Sequence, residues 1–205
     1  MTADLFDHDQ RAILNEYRAE QHNPLRREFD AMLNAMSARD MTVLHGHGIP
    51  APQLFGESLV GAANIETGRN DFWTPTDSGP RAIIIPAMEN GCIIDLIAFR
   101  PSQPDTWYAR VGNCWALGMD EIADARSALD QSHSIFLHAT PLDWLRAGGR
   151  GVCVIDWTDD ARLTLRDLRA IDVASPKFAR ALRLELSRPP RIPEIKTGRM
   201  RRDAA

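Results

Sequence analysis

The sequence predicts an α+β fold, in which N-terminal helices are followed by a mostly antiparallel sheet with further helices packed on it. Apolar residues recur at helical spacing in the first 48 residues, and short runs with strand character begin near Leu59. After Gly118, helical and strand patterns alternate. The order of these three patterns along the chain indicates the α+β class.

We expect a single domain over residues 1–186, made of a helical region at 1–48 and a sheet-containing core at 53–186. A chain of 205 residues suffices for one sizeable core, and its hydrophobic (44%) and charged (25%) fractions are those of an ordinary globular protein. Segment 187–205 is polar and punctuated by proline, which predicts a basic, extended tail.

Two amphipathic helices are predicted in the N-terminal region. The first runs through QRAILNEYRAE and is capped by Asp7 or Asp9. In the second, Asn23 is the N-cap and Pro24 the first helical residue. The apolar positions of the second helix are Leu25, Phe29, Met32, Leu33 and Met36. Both helices need an apolar surface to cover, because short isolated helices are marginal in water.

The stretch HGHGIPAP contains a His-x-His pair that resembles the start of a metal site. Two histidines two residues apart supply only two of the ligands that a metal requires. The end of a helix explains the pattern more fully: Gly48 takes the positive φ that follows a helix, Ile49 packs back on the last turn, and Pro50 prevents continuation. We therefore predict that His45 and His47 lie in the final turn of a helix and bind no metal.

The middle of the chain is predicted to form an antiparallel meander. RAIIIPA and CIIDLIAFR, joined through ENG, have the composition of a hairpin. RPSQPD is predicted to be a loop, and TWYARVGNCWAL to form two more strands of the meander.

Helices and strands alternate in the last third of the chain. In TPLDWLRAGG, Thr140 is the predicted N-cap, Pro141 the first helical residue, and Asp143 lies at the positive end of the helix dipole. The other helices predicted here are DEIADARSAL, LTLRDLRAIDV and SPKFARALRLEL. The predicted strands are SIFLHA and GVCVIDW.

Two aspartates lie in apolar strand segments and are candidate catalytic residues together with His138. Asp95 is predicted to share a strand face with Ile93, Ile97 and Phe99, and Asp156 to share one with Val152 and Val154. Carboxylates so placed can serve acid–base or metal-dependent hydrolysis. They can also be structural, with Asp95 paired to Arg100 or Arg110 and Asp156 in solvent, and we favour this interpretation.

The basic residues are concentrated at the C-terminal end. The net charge of the chain is −4, yet residues 162–205 hold twelve Lys and Arg against five Asp and Glu, a balance of +7. This end is a candidate surface for nucleic acid or another anion, or simply a solvated tail. The candidate binding residues are Arg188, Arg191, Lys196, Arg199, Arg201 and Arg202.

Trp107 and Tyr108, beside Arg110, are candidates for stacking on bases, although such residues more often pack under a helix. The phosphate-loop pattern GxxxxGK[ST], the dinucleotide pattern GxGxxG and the GxSxG elbow do not occur in the sequence, so we expect no cofactor.

A cytoplasmic location is expected. The cysteines (Cys92, Cys114 and Cys153) are too few and too scattered for a disulfide framework. The acidic N-terminus has no apolar stretch, and no run of 18 apolar residues occurs, so we predict neither a signal peptide nor a membrane span.

Residues 81–157 carry a resemblance to a known family. IIPAMENGCIIDLIAFRPSQPDTWYARVGNCWALG and LHATPLDWLRAGGRGVCVIDW look like an uncharacterised family encoded in proteobacterial phages and prophages. The resemblance implies no activity and no site residue. It implies only that the protein takes part in a nucleic-acid process or acts on a host protein.

From these observations and the resemblance we predict a non-enzymatic accessory protein of a phage or mobile element that binds a macromolecular partner, either a nucleic acid or a nucleic-acid-processing protein. A metal-dependent hydrolase or nuclease using Asp95, Asp156 and His138 is one alternative. An inhibitor or adaptor that binds a host protein is another. The oligomeric state is not predicted.

Overall fold

The computed structural model describes four stretches of the chain, residues 23–49, 60–68, 71–127 and 134–190. Within them the chain has the predicted α+β fold, with N-terminal helices followed by a mostly antiparallel five-stranded sheet. The helix predicted for QRAILNEYRAE lies outside the described residues, as does the part of the predicted tail beyond residue 190.

The predicted second helix is confirmed as α1, Pro24–Asn34, and a further helix, α2, spans Ala38–Gly46. The Asn23 side chain accepts a hydrogen bond from the backbone N–H of Leu25 and so caps α1. Phe29 and Met32 are the buried residues of this helix. Met36, predicted to belong to its stripe, lies beyond the helix end.

The end of α2 has the predicted helix-stop geometry. Gly48 has a φ of +85°, and the N–H of Ile49 donates to the carbonyl of Leu44 over 3.2 Å. The N–H of Gly48 donates to the carbonyl of His45 over 2.9 Å, which completes a Schellman motif. Ile49 is buried, and His47 is the C-cap residue. This local geometry accounts for the glycine and the isoleucine, and it places His45 in the last turn of α2 and His47 at its cap.

The first sheet has the strand order β2-β1-β3-β4-β5, and neighbouring strands in this order pair antiparallel, while an isolated parallel bridge joins Phe72 to Ala109. Its strands are β1 Gly61–Thr67, β2 Trp73–Pro75, β3 Arg81–Glu89, β4 Cys92–Arg100 and β5 Gln103–Ala109. The predicted β3–β4 hairpin is confirmed, because Glu89 pairs with Cys92 across Asn90 and Gly91, which both have positive φ. The predicted RPSQPD loop is shorter, since Arg100 already pairs with Gln103.

A second sheet, which the sequence did not predict, has the order β6-β8-β7-β9. Its strands are β6 Ala116–Leu117, β7 Ile135–His138, β8 Val152–Val154 and β9 Ile171–Val173. Strand β7 is parallel to both β8 and β9, while β6 and β8 are antiparallel. The prediction that β6 continues the meander was therefore wrong, because β6 pairs with a strand almost forty residues later.

Four helices accompany the second sheet: α3 Met119–Ser127, α4 Pro141–Arg146, α5 Asp159–Arg166 and α6 Pro176–Leu186. Thr140 caps α4 as predicted, accepting a hydrogen bond from the N–H of Asp143. The helix predicted for LTLRDLRAIDV begins earlier, at Asp159, and its last residues form β9 instead. The carbonyl of Ala170 accepts a hydrogen bond from the N–H of Ile135, and β9 pairs with β7. This pairing between distant segments makes residues 171–173 a strand, although their apolar spacing is that of a helix.

The two central strands of the first sheet, β3 and β4, are buried on both faces. Helix α1 covers one face, where Phe29 and Met32 join a cluster with Ile84 and Leu96. The opposite face packs against α2, α4 and the second sheet. The residues of this shared cluster include Leu44, Ile83, Phe99, Leu142, Trp144 and Cys153. One core therefore joins the two sheets.

The far face of the second sheet is covered by α3, α5 and α6, through Ile122, Leu165 and Leu182. In the residues that the structure describes, no helix is long and apolar enough to cross a membrane.

Candidate functional site

Asp95 has a structural role that explains a buried carboxylate in an apolar strand. It is 0% exposed, and its two oxygens accept hydrogen bonds from five backbone N–H groups. The donors to Oδ1 are Leu96 (2.8 Å), Arg110 (3.0 Å) and Val111 (3.0 Å), and the donors to Oδ2 are Gly112 (2.8 Å) and Asn113 (2.9 Å). The carboxylate thus fixes the loop after β5, because four of these donors are consecutive residues.

The predicted ion pair of Asp95 with an arginine is wrong. Arg110 contributes only its backbone N–H, while its Nε donates to Glu28 Oε1 over 2.8 Å. Its guanidinium carbon lies 5.6 Å from the centroid of the Trp73 ring. The side chain of Arg110 therefore connects α1 with the first sheet.

The predicted strand face of Asp95 is wrong at one position. A β-bulge skips Ile94, so that Ala87 pairs with Asp95 and Met88 with Ile93. Ile93 therefore packs with the α1 cluster, whereas Ile94 packs with the opposite cluster that contains Ile97 and Phe99. An extra residue in one strand changes the period of two on which the prediction rested.

The other two candidate catalytic residues are Asp156 and His138. Asp156 is exposed beyond the end of β8, not in the strand, and lines a cavity of about 220 Å³ with Trp107 and Gly112. His138 ends β7, and its Nε2 lies 2.9 Å from the carbonyl oxygen of Arg150. Burial lowers the pKa of His138, an effect larger than that of the Arg150 carbonyl, which raises it. The hydrogen bond links the end of β7 to the loop before β8.

Within the described part of the chain, no three His, Cys, Asp or Glu side chains lie together as a set that could hold a metal ion. Since the Asp95 oxygens are also occupied by backbone donors, the described residues give the hydrolase alternative no assembled carboxylate site.

Trp107 and Tyr108 do not form a shared stacking face. Trp107 packs with the cluster between the two sheets, and its Nε1 donates to the carbonyl of Ile155 over 2.9 Å. Tyr108 packs with the α1 cluster on the opposite face of the first sheet. Neighbouring residues of a strand point to opposite faces, so one ligand cannot contact both rings as predicted.

A groove of about 570 Å³ lies between α2 and the first sheet, and we call it the arginine groove. Its basic residues are Arg39 on α2, Arg81 at the start of β3 and Arg100 at the end of β4. The remaining lining residues are Ser37, Asp40, Val43, His47, Ala82, Ile83, Pro101 and Ser102. Three guanidinium groups against one carboxylate make the groove basic.

Asp40 and Arg81 form the fixed part of the arginine groove. Arg81 Nε and Nη2 donate to the two Asp40 oxygens over 3.2 and 2.9 Å, and Nη2 also donates to the carbonyl of Ala35 over 2.7 Å. Asp40 in turn completes the capping box of α2, accepting hydrogen bonds from the backbone N–H and hydroxyl of Ser37. The pair therefore ties the start of α2 to β3.

Asp40 titrates at low pH because its charged form is held by these donors. Burial alone would raise the pKa of this carboxyl, but the hydrogen bonds from Arg81 and Ser37 outweigh it and lower the pKa from 3.8 to about 2. The Asp40 carboxylate therefore stays ionised in the folded protein at any pH near neutrality.

This pKa shift predicts a loss of stability in acid. A folded-state pKa of about 2 lies below the unfolded value of 3.8, so the stabilisation is complete above about pH 4 and disappears as the pH falls towards 2. The shift corresponds to roughly 2 kcal/mol. Urea unfolding of the wild type and Asp40→Asn should show a difference in free energy near neutral pH that shrinks between pH 4 and 2. A difference that stays constant over this range would refute the assignment.

Arg39 and Arg100 are the available cations of the arginine groove. Within the described residues, neither guanidinium forms a hydrogen bond or ion pair with the protein. Arg39 is exposed and Arg100 half-buried. His47 also lines the groove, and its carbonyl accepts a hydrogen bond from Arg146 Nε over 2.7 Å, which links this wall to α4. The groove thus combines a fixed wall with two cations that can pair with a ligand.

The predicted tail residues are described only at their beginning. Arg188 is exposed, and its Nη1 lies 3.1 Å from Glu185 Oε2 on α6. Its carbonyl accepts a hydrogen bond from Arg166. The remaining candidates, Arg191, Lys196, Arg199, Arg201 and Arg202, lie outside the described residues.

No protein-family model, curated protein or solved structure matches the chain.

Sequence reasoning did not find the arginine groove. Its three arginines lie about forty and twenty residues apart and stand next to no recognisable motif. They meet because the β3–β4 hairpin places the start of one strand beside the end of the other, under the first turn of α2. The sequence could have indicated the groove only through the predicted β3–β4 hairpin, which places Arg81 near Arg100.

Proposed function

We propose that this protein is a non-enzymatic, cytoplasmic accessory protein that binds nucleic acid through the arginine groove. The observation that carries the proposal is the pairing state of the groove: Arg81 is neutralised by Asp40, while Arg39 and Arg100 have no partner in the described part of the chain. Resemblance of residues 81–157 to a family encoded in phages and prophages supports the same context.

Guanidinium groups suit this role because they bind phosphate with two parallel N–H donors and stay charged at every physiological pH. Asp40, the carboxylate that lines the groove, is committed to Arg81 and to the cap of α2. The groove therefore has the chemistry of anion binding, with no free carboxylate for acid–base catalysis in its described lining.

The test is the affinity of the purified full-length protein for labelled DNA and RNA as a function of salt. Arg39→Ala and Arg100→Ala should each weaken binding several-fold. Each should also reduce the slope of log affinity against log salt by about 0.7 on a single strand or about 0.9 on a duplex, because each removes one phosphate contact. Far-UV circular dichroism should be unchanged, since neither side chain supports the fold.

Arg126→Ala is the matched control, because Arg126 is an exposed helical arginine that does not line the groove and lies 3.7 Å from Asp167. Its removal should leave affinity and salt slope at the wild-type values. Equal losses in all three variants would show a diffuse charge effect and would reject the groove as the site.

The basic tail makes a separable contribution to the proposed binding. Deleting residues 188–205 should lower affinity and the salt slope while leaving the further effect of Arg100→Ala intact, because the two surfaces contact different phosphates. If the deletion leaves affinity unchanged, the tail does not take part. If neither the deletion nor the groove variants change affinity, nucleic acid does not bind at these surfaces and the proposed function is wrong.

A further inference from the structure

We infer that the arginine groove selects unpaired, single-stranded nucleic acid over duplex, an inference that rests on the proposed function. Two properties of the groove lead to it, beyond its charge. One is its apolar floor, and the other is its size and recessed shape.

The floor of the arginine groove carries apolar side chains where a phosphate-only site would have none. The apolar lining residues with exposed surface are Val43 and Pro101, whereas Ala82 and Ile83, which also border the groove, are buried in the core. Val43 is 40% exposed on α2 and lines the groove beside Arg39, so its apolar side chain is accessible to a ligand there. In a duplex the flat faces of the bases are stacked inside and cannot reach such a surface, whereas unpaired bases can lie against apolar side chains and guanidinium planes.

The dimensions of the groove lead to the same conclusion. Its volume of about 570 Å³ is that of a cleft for one small molecule, enough for roughly one or two nucleotides. A duplex is usually read by a helix or ribbon that protrudes into its major groove, about 12 Å wide. A recessed site of this size instead receives one strand, with phosphates near Arg39 and Arg100 and a base over Val43 and Pro101.

The experiment compares labelled oligo-dT of about 12 nucleotides with a duplex of the same length, at one salt concentration and with the full-length protein. The expected result is an affinity at least about ten-fold higher for the single strand. Thymidine monophosphate and oligo-dT of increasing length serve as competitors. Competition that strengthens with length identifies a strand, whereas full competition by the mononucleotide identifies a free-nucleotide site and overturns the inference.

Val43→Thr is the decisive variant, because threonine keeps the shape and branching of valine and replaces one methyl group by a hydroxyl. It should weaken single-strand binding about two- to five-fold and leave duplex binding unchanged, whereas Arg100→Ala should weaken both. Leu163→Thr on α5 is the control, since Leu163 is also exposed and apolar but does not line the groove.

Two negative outcomes are distinguishable. Equal or tighter duplex binding that still depends on Arg39 and Arg100 overturns the single-strand inference and leaves the proposed function in place. Absence of any binding that depends on these two arginines rejects both.

Discussion

Replacing Asp95 by alanine should destabilise the protein by about 3–5 kcal/mol, the largest effect we expect from any single carboxylate. The substitution leaves five backbone N–H groups without their acceptor, and four of them belong to the consecutive residues 110–113. Water can reach part of this loop, which is why the expected loss stays well below the sum of five unsatisfied donors. Urea unfolding monitored by tryptophan fluorescence measures the free energy directly.

Asp95→Asn separates charge from shape. Asparagine keeps one acceptor oxygen, but its amide group directs N–H donors at two backbone N–H groups of the loop, so the expected loss is about 2–3 kcal/mol. Asp156→Asn is the control, because Asp156 is exposed, and its substitution should change stability by less than about 0.5 kcal/mol. Losses below about 1 kcal/mol for Asp95→Ala would show that the loop does not depend on the carboxylate.

The sequence correctly predicts those elements whose first or last residue is determined by side chains a few positions away in the chain. Asn23 and Pro24 start α1, Thr140 and Pro141 start α4, and Gly48 with Ile49 ends α2. In each case a short side chain or a positive φ satisfies backbone groups next to it in the chain, so no distant residue has to be known.

The predictions that failed concern partners far apart in the chain. Ala116 pairs with Val154 in the second sheet, and Ile171 pairs with Ile135, although the local spacing placed the first in the meander and the second in a helix. Strand preference depends on the neighbours that a strand finds, which a single sequence does not reveal. The bulge at Ile94 is of the same kind, because it is defined only by the pairing with β3.

The candidate site follows the same rule. A buried aspartate attracts attention in a sequence because its burial requires an explanation, yet Asp95 supports a loop. An arginine attracts none, because most arginines are solvated. The hairpin and α2 bring together Arg39, Arg81 and Arg100, which are far apart in the chain. The groove could therefore be found only from the structure.

Gly118→Ala should cost about 4 kcal/mol or prevent folding, because a Cβ at this position would lie 2.1 Å from the carbonyl oxygen of Gly151. That oxygen also accepts the hydrogen bond of Trp144 Nε1 over 2.9 Å, and it belongs to the backbone, so it cannot rotate away. Gly118 has a φ of +77°, which alone disfavours any other residue.

Gly91→Ala separates the two causes, because Gly91 has nearly the same φ, +76°, and a Cβ added there would meet no atom within 4 Å. Its expected cost is the backbone contribution alone, about 1–2 kcal/mol. Thermal and urea unfolding of both variants should therefore show a much larger loss for Gly118→Ala. Equal losses would mean that the end of β6 and the start of β8 can move apart, and that the close approach of Gly118 to Gly151 does not hold this edge of the second sheet together.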